Sequence, residues 1–341
     1  MAIPVERASL SLDKSTIDGK FDREPFGFDH DLAELDLFRF ENLVGLAEKF
    51  APFDQDYYVA GSARTPGTEF YAVPSPRYKP HEAIAHLDEG AYRVLLKRPE
   101  RLDRGFRDLL DHLFAEVARH RASLGRERIL RLESAIFISS AAATTPFHFD
   151  PEVAFFCQIE GDKIYHVYEP AVLSEPELER FYKRGIVNIG QIDLAGRPEP
   201  AEHVFRLRGG KGLHQPQNAP HWVETREARS ISYSFVFETE RSRVAGRVRS
   251  YNHYLRKFGL APTPPGYHPQ LDELKSRTMQ VFIPARQMLG RPARALVGAL
   301  TGRTFSQPVT EEGHGPSDER SPPAAASDRR SEQGVRTELQ P

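Results

Sequence analysis

The sequence changes texture at residue 131, and that change limits the fold more than any other feature. Segments 134–139 (SAIFIS), 153–159 (VAFFCQI), 163–168 (KIYHVY), 203–207 (HVFRL) and 231–237 (ISYSFVF) are short and rich in β-branched and aromatic residues. Gly, Pro or charged turns separate them, and Gly161-Asp162 between two of them predicts a tight hairpin. Residues 131–240 are therefore expected to form a mostly β core, a sandwich or jelly roll, with helices before and after it.

The flanks read differently. Residues 1–130 are expected to be a helical and irregular region packed on the core. In 31–50, Leu35, Phe38, Leu43, Leu46 and Phe50 recur at spacings of three to five, as on one apolar helix face. In 101–120, Leu102, Phe106, Leu109, Leu110, Leu113, Phe114 and Val117 follow the i, i+3, i+4, i+7 rule of a core-facing helix. Residues 241–303 are expected to be helical. Within them, 282–303 carries Arg286, Arg291, Arg294 and Arg303 and no acidic residue. A packed helix with a solvated basic face explains that pattern, a helix on a membrane surface or an acidic partner being the rarer alternative. Residues 304–341 hold almost no large apolar side chains and much Pro, Ser, Gly and charge, which predicts a disordered tail.

Composition closes off several functions. The 46 basic and 48 acidic residues give a net charge of −2, which argues against bulk attraction to nucleic acid. A local cluster remains in Arg241, Arg243, Arg247, Arg249, Arg256 and Lys257; a solvated helix face is its plainer reading than an RNA contact. The single cysteine, Cys157, can form neither an internal disulfide nor a Cys-based zinc cage. No apolar run approaches the roughly 18 residues of a spanning helix, and the opening MAIPVERASLSLDK lacks the apolar block of a signal peptide. The expectation is a cytoplasmic protein without a membrane span.

The chemistry lies among the histidines. In His148-Phe149-Asp150, just before a strand, the period of two aims the imidazole and the carboxylate the same way. A second imidazole from another strand would complete a two-His-one-carboxylate facial triad, which leaves positions open on Fe(II) for a co-substrate and O₂. His221, in Asn218-Ala219-Pro220-His221-Trp222-Val223, is the candidate. The spacing alone is weak, since His86-Leu87-Asp88 repeats it; residues 81–96 read as helix or loop, where i and i+2 diverge and cannot share a metal.

The surrounding text is more specific. Thr145-Pro146-Phe147 precedes the pair, VAFFCQIEGDKIYHVYEP follows it, and GKGLHQP precedes APHWV. This stretch resembles the JmjC and cupin-like iron(II)/2-oxoglutarate oxygenases, above all the branch that contains the asparaginyl hydroxylases. The resemblance covers about residues 131–240. It implies a double-stranded β-helix, with Fe(II), 2-oxoglutarate and O₂ as cofactor and co-substrates. It also implies hydroxylation of a protein side chain or small molecule, coupled to decarboxylation of 2-oxoglutarate to succinate. His148, Asp150 and His221 would hold the metal. Thr145, three residues before the first ligand, and Lys163, fifteen after it, would bind the distal carboxylate of 2-oxoglutarate. Two positions depart from the pattern. Ala154 stands where the asparaginyl hydroxylases carry Asn, and Lys211 replaces an acidic residue common before the distal ligand.

The physical reading of these residues agrees. A dianionic co-substrate chelating the metal at one end needs a buried cation at the other, and charge-assisted bonds there contribute about 1.5 to 3 kcal/mol each. Thr145 and His148 are an odd number apart, so a straight strand would oppose them; Pro146 must introduce a bend. Arg229, eight residues after His221, is a rival anchor. His166 and His214 read as surface or supporting groups, and Tyr165 and Trp222 as core. The 173–185 insert is a candidate lid, and the helices after Arg249 a candidate homodimer surface. A non-catalytic cupin-type protein that holds a metal or small ligand is the alternative function, one that release of succinate would exclude.

Overall fold

The structure, a computed structural model, describes residues 3–284 apart from 64, 74–75, 91, 188, 192–201 and 227. Its strands are β1 (Leu10–Ser11), β2 (Phe26–His30), β3 (Tyr57–Gly61), β4 (Tyr92–Lys97), β5 (Ile129–Ser139), β6 (Thr144–Phe149), β7 (Val153–Glu160), β8 (Lys163–Tyr168), β9 (Glu202–Leu207), β10 (Lys211–Gln215), β11 (Pro220–Thr225) and β12 (Ser230–Thr239). Helices α1 (Lys14–Lys20), α2 (Phe40–Phe50), α3 (Pro80–Ala85) and α4 (Arg104–His120) precede β5. Then α5 (Glu175–Phe181) follows β8, α6 (Glu240–Lys257) follows β12, and a further helical run covers 269–284.

Among the described residues the strands form an eight-stranded sheet, β1-β2-β10-β7-β12-β5-β4-β3, and a four-stranded sheet, β6-β11-β8-β9. Every pairing between these strands is antiparallel. All five segments read as strands from the sequence are strands, and Gly161, at φ 71°, makes the turn between β7 and β8. A Cβ there would lie 2.2 Å from the Arg229 carbonyl oxygen, so glycine is required twice over.

The larger sheet is buried on both faces, which explains why β7 reads as a continuous apolar run rather than an alternation. On one face, Phe155, Cys157, Ile136, Ile138, Tyr233, Phe235 and Phe237 pack with Leu43 and Phe50 of α2 and with Phe106, Leu109 and Leu113 of α4. Phe155 and Phe235 stack there with ring centroids 5.1 Å apart. The other face looks at the smaller sheet through a thinner layer that includes Phe156, Tyr165, Val167, Leu213 and Val223.

Helix α4 forms as its spacing predicts. Asp103 caps it by accepting from the Gly105 N–H, and Phe106, Leu109, Leu110, Leu113 and Val117 are its buried stripe. The region before residue 131 nevertheless departs from the helical and irregular expectation, because it also supplies β1 to β4 to the larger sheet. Those strands escaped notice for local reasons. β1 is two residues long, and β4 lacks a clean alternation because its sheet is covered on both sides. Segment 81–96 is part helix (α3) and part strand (β4), with His86 closing the helix and, among the described residues, in no group that could hold a metal.

After the sheets, α6 packs on α5. Three of its arginines are engaged within the chain: Arg243 pairs with Glu238, Arg249 with Glu175 and Arg256 with Glu179. The 173–185 segment is correspondingly a strut between β6 and α6, with Leu178 and Tyr182 packed on Phe149. No helix among the described residues is long and apolar enough to cross a membrane. The 304–341 tail and most of the basic 282–303 segment lie outside the described residues.

His214 departs from its reading as a surface or supporting group. It is fully buried in an aromatic box of Phe21, Phe26 and Phe155, where Nε2 accepts from the Asp22 N–H. Burial pushes its pKa down to about 3. An unfolded imidazole takes up a proton near pH 6.5. The neutral ring's contribution is therefore complete above that pH and is lost as pH falls toward 3. Relative to His214→Phe, the wild-type urea midpoint should fall steadily from pH 6.5 to 4 and hold a constant offset above pH 7.5. A pH-independent offset throughout would contradict this.

Candidate metal centre

Strand β11 runs between β6 and β8 and sets the register of the site. His221 lies opposite His148 on β6 and Val167 on β8; Val223 lies opposite Thr145 and Tyr165; Thr225 lies opposite Lys163. Directly opposed residues of antiparallel strands project to one face. His148, Thr145, His221, Tyr165 and Lys163 therefore all point between the sheets. Trp222 and His166, one position out of step, stack on each other on the other face at 3.7 Å between ring centroids.

The bend expected at Pro146 takes the form of a pairing irregularity. Three steps of β6, from 145 to 148, oppose two steps of β11, from 223 to 221. The extra residue reverses the parity of β6, which lets Thr145 and His148 share a face despite their odd spacing.

Asp150 follows β6 directly. Its carbonyl accepts from the Asn218 N–H at 2.9 Å, which ties the turn before β11 to the end of β6. Asn218 holds a left-handed backbone at φ 61°, a conformation asparagine tolerates better than most residues, and its side chain accepts from the Tyr182 hydroxyl at 2.7 Å.

The three predicted ligands meet. One donor atom from each of His148, Asp150 and His221 lies within 4.8 Å of the others. The Asp150 carboxylate is 3.9 Å from His148 Nε2 and 3.7 Å from His221 Nε2. Each imidazole is fixed in one tautomer: His148 Nδ1–H donates to the Pro146 carbonyl at 2.7 Å, and His221 Nδ1–H to the Ala219 carbonyl at 3.0 Å. Both Nε2 lone pairs are left aimed at Asp150, as metal-binding histidines require.

Burial holds both rings neutral, with pKa pushed down to about 4 for His148 and about 3 for His221, where the neighbouring His148 adds to the effect. Burial raises the Asp150 carboxyl, against the pull of His221 and Gln215. At 31% exposure the Asp150 side chain is the opening of an otherwise closed cluster. Phe70 covers the His148 ring at 4.8 Å, and Tyr165 stacks on His221 at 5.2 Å while its hydroxyl donates to Gln215.

Deeper between the sheets lies Lys163, 5% exposed. Its ammonium donates to the Ser232 hydroxyl at 3.0 Å and stands over the rings of Phe137 and Phe156. Among the described residues it has no carboxylate partner, and burial, with the charge of Arg93, pushes its pKa down to about 7. Ser230, Ser232 and Ser234 on alternate positions of β12 keep this interior short of apolar bulk. Arg229 is elsewhere, forked onto Glu160 and laid over the Phe40 ring. Lys211, the departure noted above, pairs with Asp29 at the rim.

Sequence reading missed Arg93, Phe70 and Gln215. Arg93 donates to the Thr145 hydroxyl at 3.0 Å. A lone charge inside YRVLL was the available signal, but nothing local says which strand it will meet.

No family model matches the chain, and no curated protein matches it by sequence. Among solved structures, the chain is similar to the ribosomal oxygenase YcfD from Escherichia coli at 18% identity over 81% of this chain and 67% of that one, with a TM-score of 0.45. YcfD in complex with cobalt and 2-oxoglutarate gives 19% identity, 81% and 68% coverage and a TM-score of 0.47. The dimethylsulfoniopropionate (DMSP) lyase DddQ from Ruegeria pomeroyi gives 15% identity over 31% of this chain and 38% of that one, with a TM-score of 0.20. Likenesses this distant assign neither ligand nor partner to this chain.

The geometry itself makes a direct demand. Titrated with Mn(II) or Co(II) in a calorimeter, the wild type should bind one ion, and His221→Ala should weaken binding by more than the 10- to 100-fold that loss of an outer hydrogen bond costs. Equal affinity in the two proteins would exclude the cluster as the binding place.

Proposed function

We propose that the chain is an iron(II)/2-oxoglutarate-dependent oxygenase built on a double-stranded β-helix. The observation that carries this is one interior face that presents two imidazoles with free Nε2 atoms, a carboxylate beside them, and a buried lysine with no counter-ion among the described residues. The strand order supports the architecture: β10-β7-β12-β5 faces β6-β11-β8-β9, so that successive strands from β5 onward change sheet at every step except from β8 to β9. Residues 131–240 are then the catalytic core, 1–130 its packed flank and 241–303 a C-terminal extension whose described part, 241–284, contains α6 and the 269–284 run.

The donor set fits a divalent transition metal. Two neutral nitrogens and one carboxylate satisfy half of an octahedron and leave the charge of the site near +1. When bound, Fe(II) would supply the oxygen chemistry that couples decarboxylation of 2-oxoglutarate to hydroxylation of a second substrate. The chain's own residues position the participants. Pro146 and Ala219 carbonyls orient the rings, and Gln215 with Tyr165 steadies the Asp150 side. Lys163 would anchor the far carboxylate of the co-substrate and Thr145 would add a hydroxyl. Phe70 and Tyr165 exclude water from the imidazoles. The acceptor of the hydroxyl group is read as a protein side chain or a small molecule reaching Asp150 through the opening.

A cytoplasmic location belongs to this reading, since the one cysteine is buried and needs no oxidising compartment. A homodimer through the C-terminal helices does too, with Leu271, Leu274 and Val281 exposed on the 269–284 run.

Purified protein supplied with Fe(II), 2-oxoglutarate and O₂ should release succinate even without a second substrate, and His148→Ala should abolish release. Metal binding without succinate would instead leave a protein that holds an ion and does no oxygen chemistry. Lys163→Met should raise the KM for 2-oxoglutarate about tenfold or more, the equivalent of about 1.4 kcal/mol, with a smaller change in kcat. An unchanged KM would remove Lys163 from the anchor.

A further inference from the structure

Arg93 is the second cation of this interior, and one of its nitrogens has no hydrogen-bond partner among the described residues. It lies on β4, opposite Ser139 of β5 and Ala60 of β3. Its neighbours Val94 and Leu96 are buried in the helix-covered face of the larger sheet, so the alternation turns Arg93 the other way, toward the smaller sheet. There Nε donates to the Gly61 carbonyl at 3.2 Å and Nη1 to the Thr145 hydroxyl at 3.0 Å, while Nη2 is buried without a hydrogen bond among the described residues.

A purely structural role accounts for part of this. Nε and Nη1 tie the end of β3 to β6, and a neutral donor would do the same. It does not account for a buried, unused Nη2 or for the charge. Among the described residues neither Arg93 nor Lys163 has a carboxylate within ion-pair reach. Two like charges buried in one interior repel each other and lose hydration, and an anion seated between them relieves both costs. A carboxylate has two oxygens, and a lysine ammonium with a guanidinium edge, and the Thr145 hydroxyl between the strands, matches them.

We propose that Arg93 is a specificity-determining residue: with Lys163 it forms a two-cation seat for the far carboxylate of a dicarboxylic 2-oxoacid, and so excludes 2-oxoacids that end in a methyl group. The inference rests on the oxygenase reading above and adds a residue and a selection rule to it. A ligand without the second carboxylate leaves both buried cations unpaired, and a site built to bind a polar group rejects an analogue that lacks it far more strongly than an apolar pocket rejects an extra methylene.

The test uses the full chain loaded with Fe(II) under anaerobic conditions. It follows the visible charge-transfer absorption of a chelated 2-oxoacid, and calorimetry on the Mn(II)-loaded protein as a second readout. The ligands are 2-oxoglutarate and 2-oxobutyrate, which chelate alike and differ at the far end. Wild type should prefer 2-oxoglutarate by about 100-fold or more. Arg93→Met should weaken 2-oxoglutarate about tenfold or more and leave 2-oxobutyrate unchanged or tighter, so that the preference narrows. Arg93→Lys should recover part of the loss. Arg93→Gln keeps a donor toward Thr145 without the charge and should behave as Arg93→Met does, which separates charge from packing if Arg93→Met folds poorly. Variants that shift both ligands equally, or neither, overturn the role of Arg93 while the oxygenase reading stands on the wild-type result. Wild type that binds no 2-oxoacid overturns both.

Discussion

The pairing of β11 with β6 and β8 is the interaction on which the site depends. Hydrogen bonds of an antiparallel ladder fix register to the residue, and a slip of one would turn His221 outward and bring Trp222 in. The same ladder carries the irregularity at Pro146 and Phe147, so one defect in otherwise regular pairing places both the His148 imidazole and the Thr145 hydroxyl on the inner face. Such a defect is stable because β11 is held on its other side by the unbroken pairing from His221–Val167 to Thr225–Lys163.

The second constraint is the two-sided burial of the larger sheet. Its helix-covered face takes nearly all of the large apolar side chains, including Phe155, Tyr233, Phe235 and Phe237. The inner face thereby needs less apolar bulk and can carry Ser230, Ser232, Ser234, Gln158 and the cations of Lys163 and Arg93, which have no carboxylate partner among the described residues. Gln158 is satisfied there by the Ser230 hydroxyl and by backbone carbonyls, and it accepts from Ser232, which in turn receives Lys163. A core packed mainly on one side of a sheet makes room for polar chemistry on the other.

How much of this the sequence disclosed follows from the range of each interaction. The strands after residue 131 and helix α4 were legible because period and composition are local. His148 and Asp150 were legible because two residues on one strand end share a direction by geometry, and the resemblance to known oxygenases supplied His221, Thr145 and Lys163 in chain order. Strands β1 to β4 were missed because their signal is weak until the rest of the sheet covers them. Arg93 and Phe70 were missed because their meaning depends on which distant strand they face, and His214 because burial in an aromatic box has no mark in the residues beside it.

The turn that precedes β11 joins more than two strands. Through Asn218 it holds Asp150 by its backbone and the Tyr182 hydroxyl by its side chain, and Tyr182 in turn lies against Gly246 and beneath Arg249 of α6. The long helix beyond the last strand is thus three contacts from Asp150, and the inner face and the outer scaffold are one mechanical piece. Slack introduced at the far end of the chain would be felt where the carboxylate points.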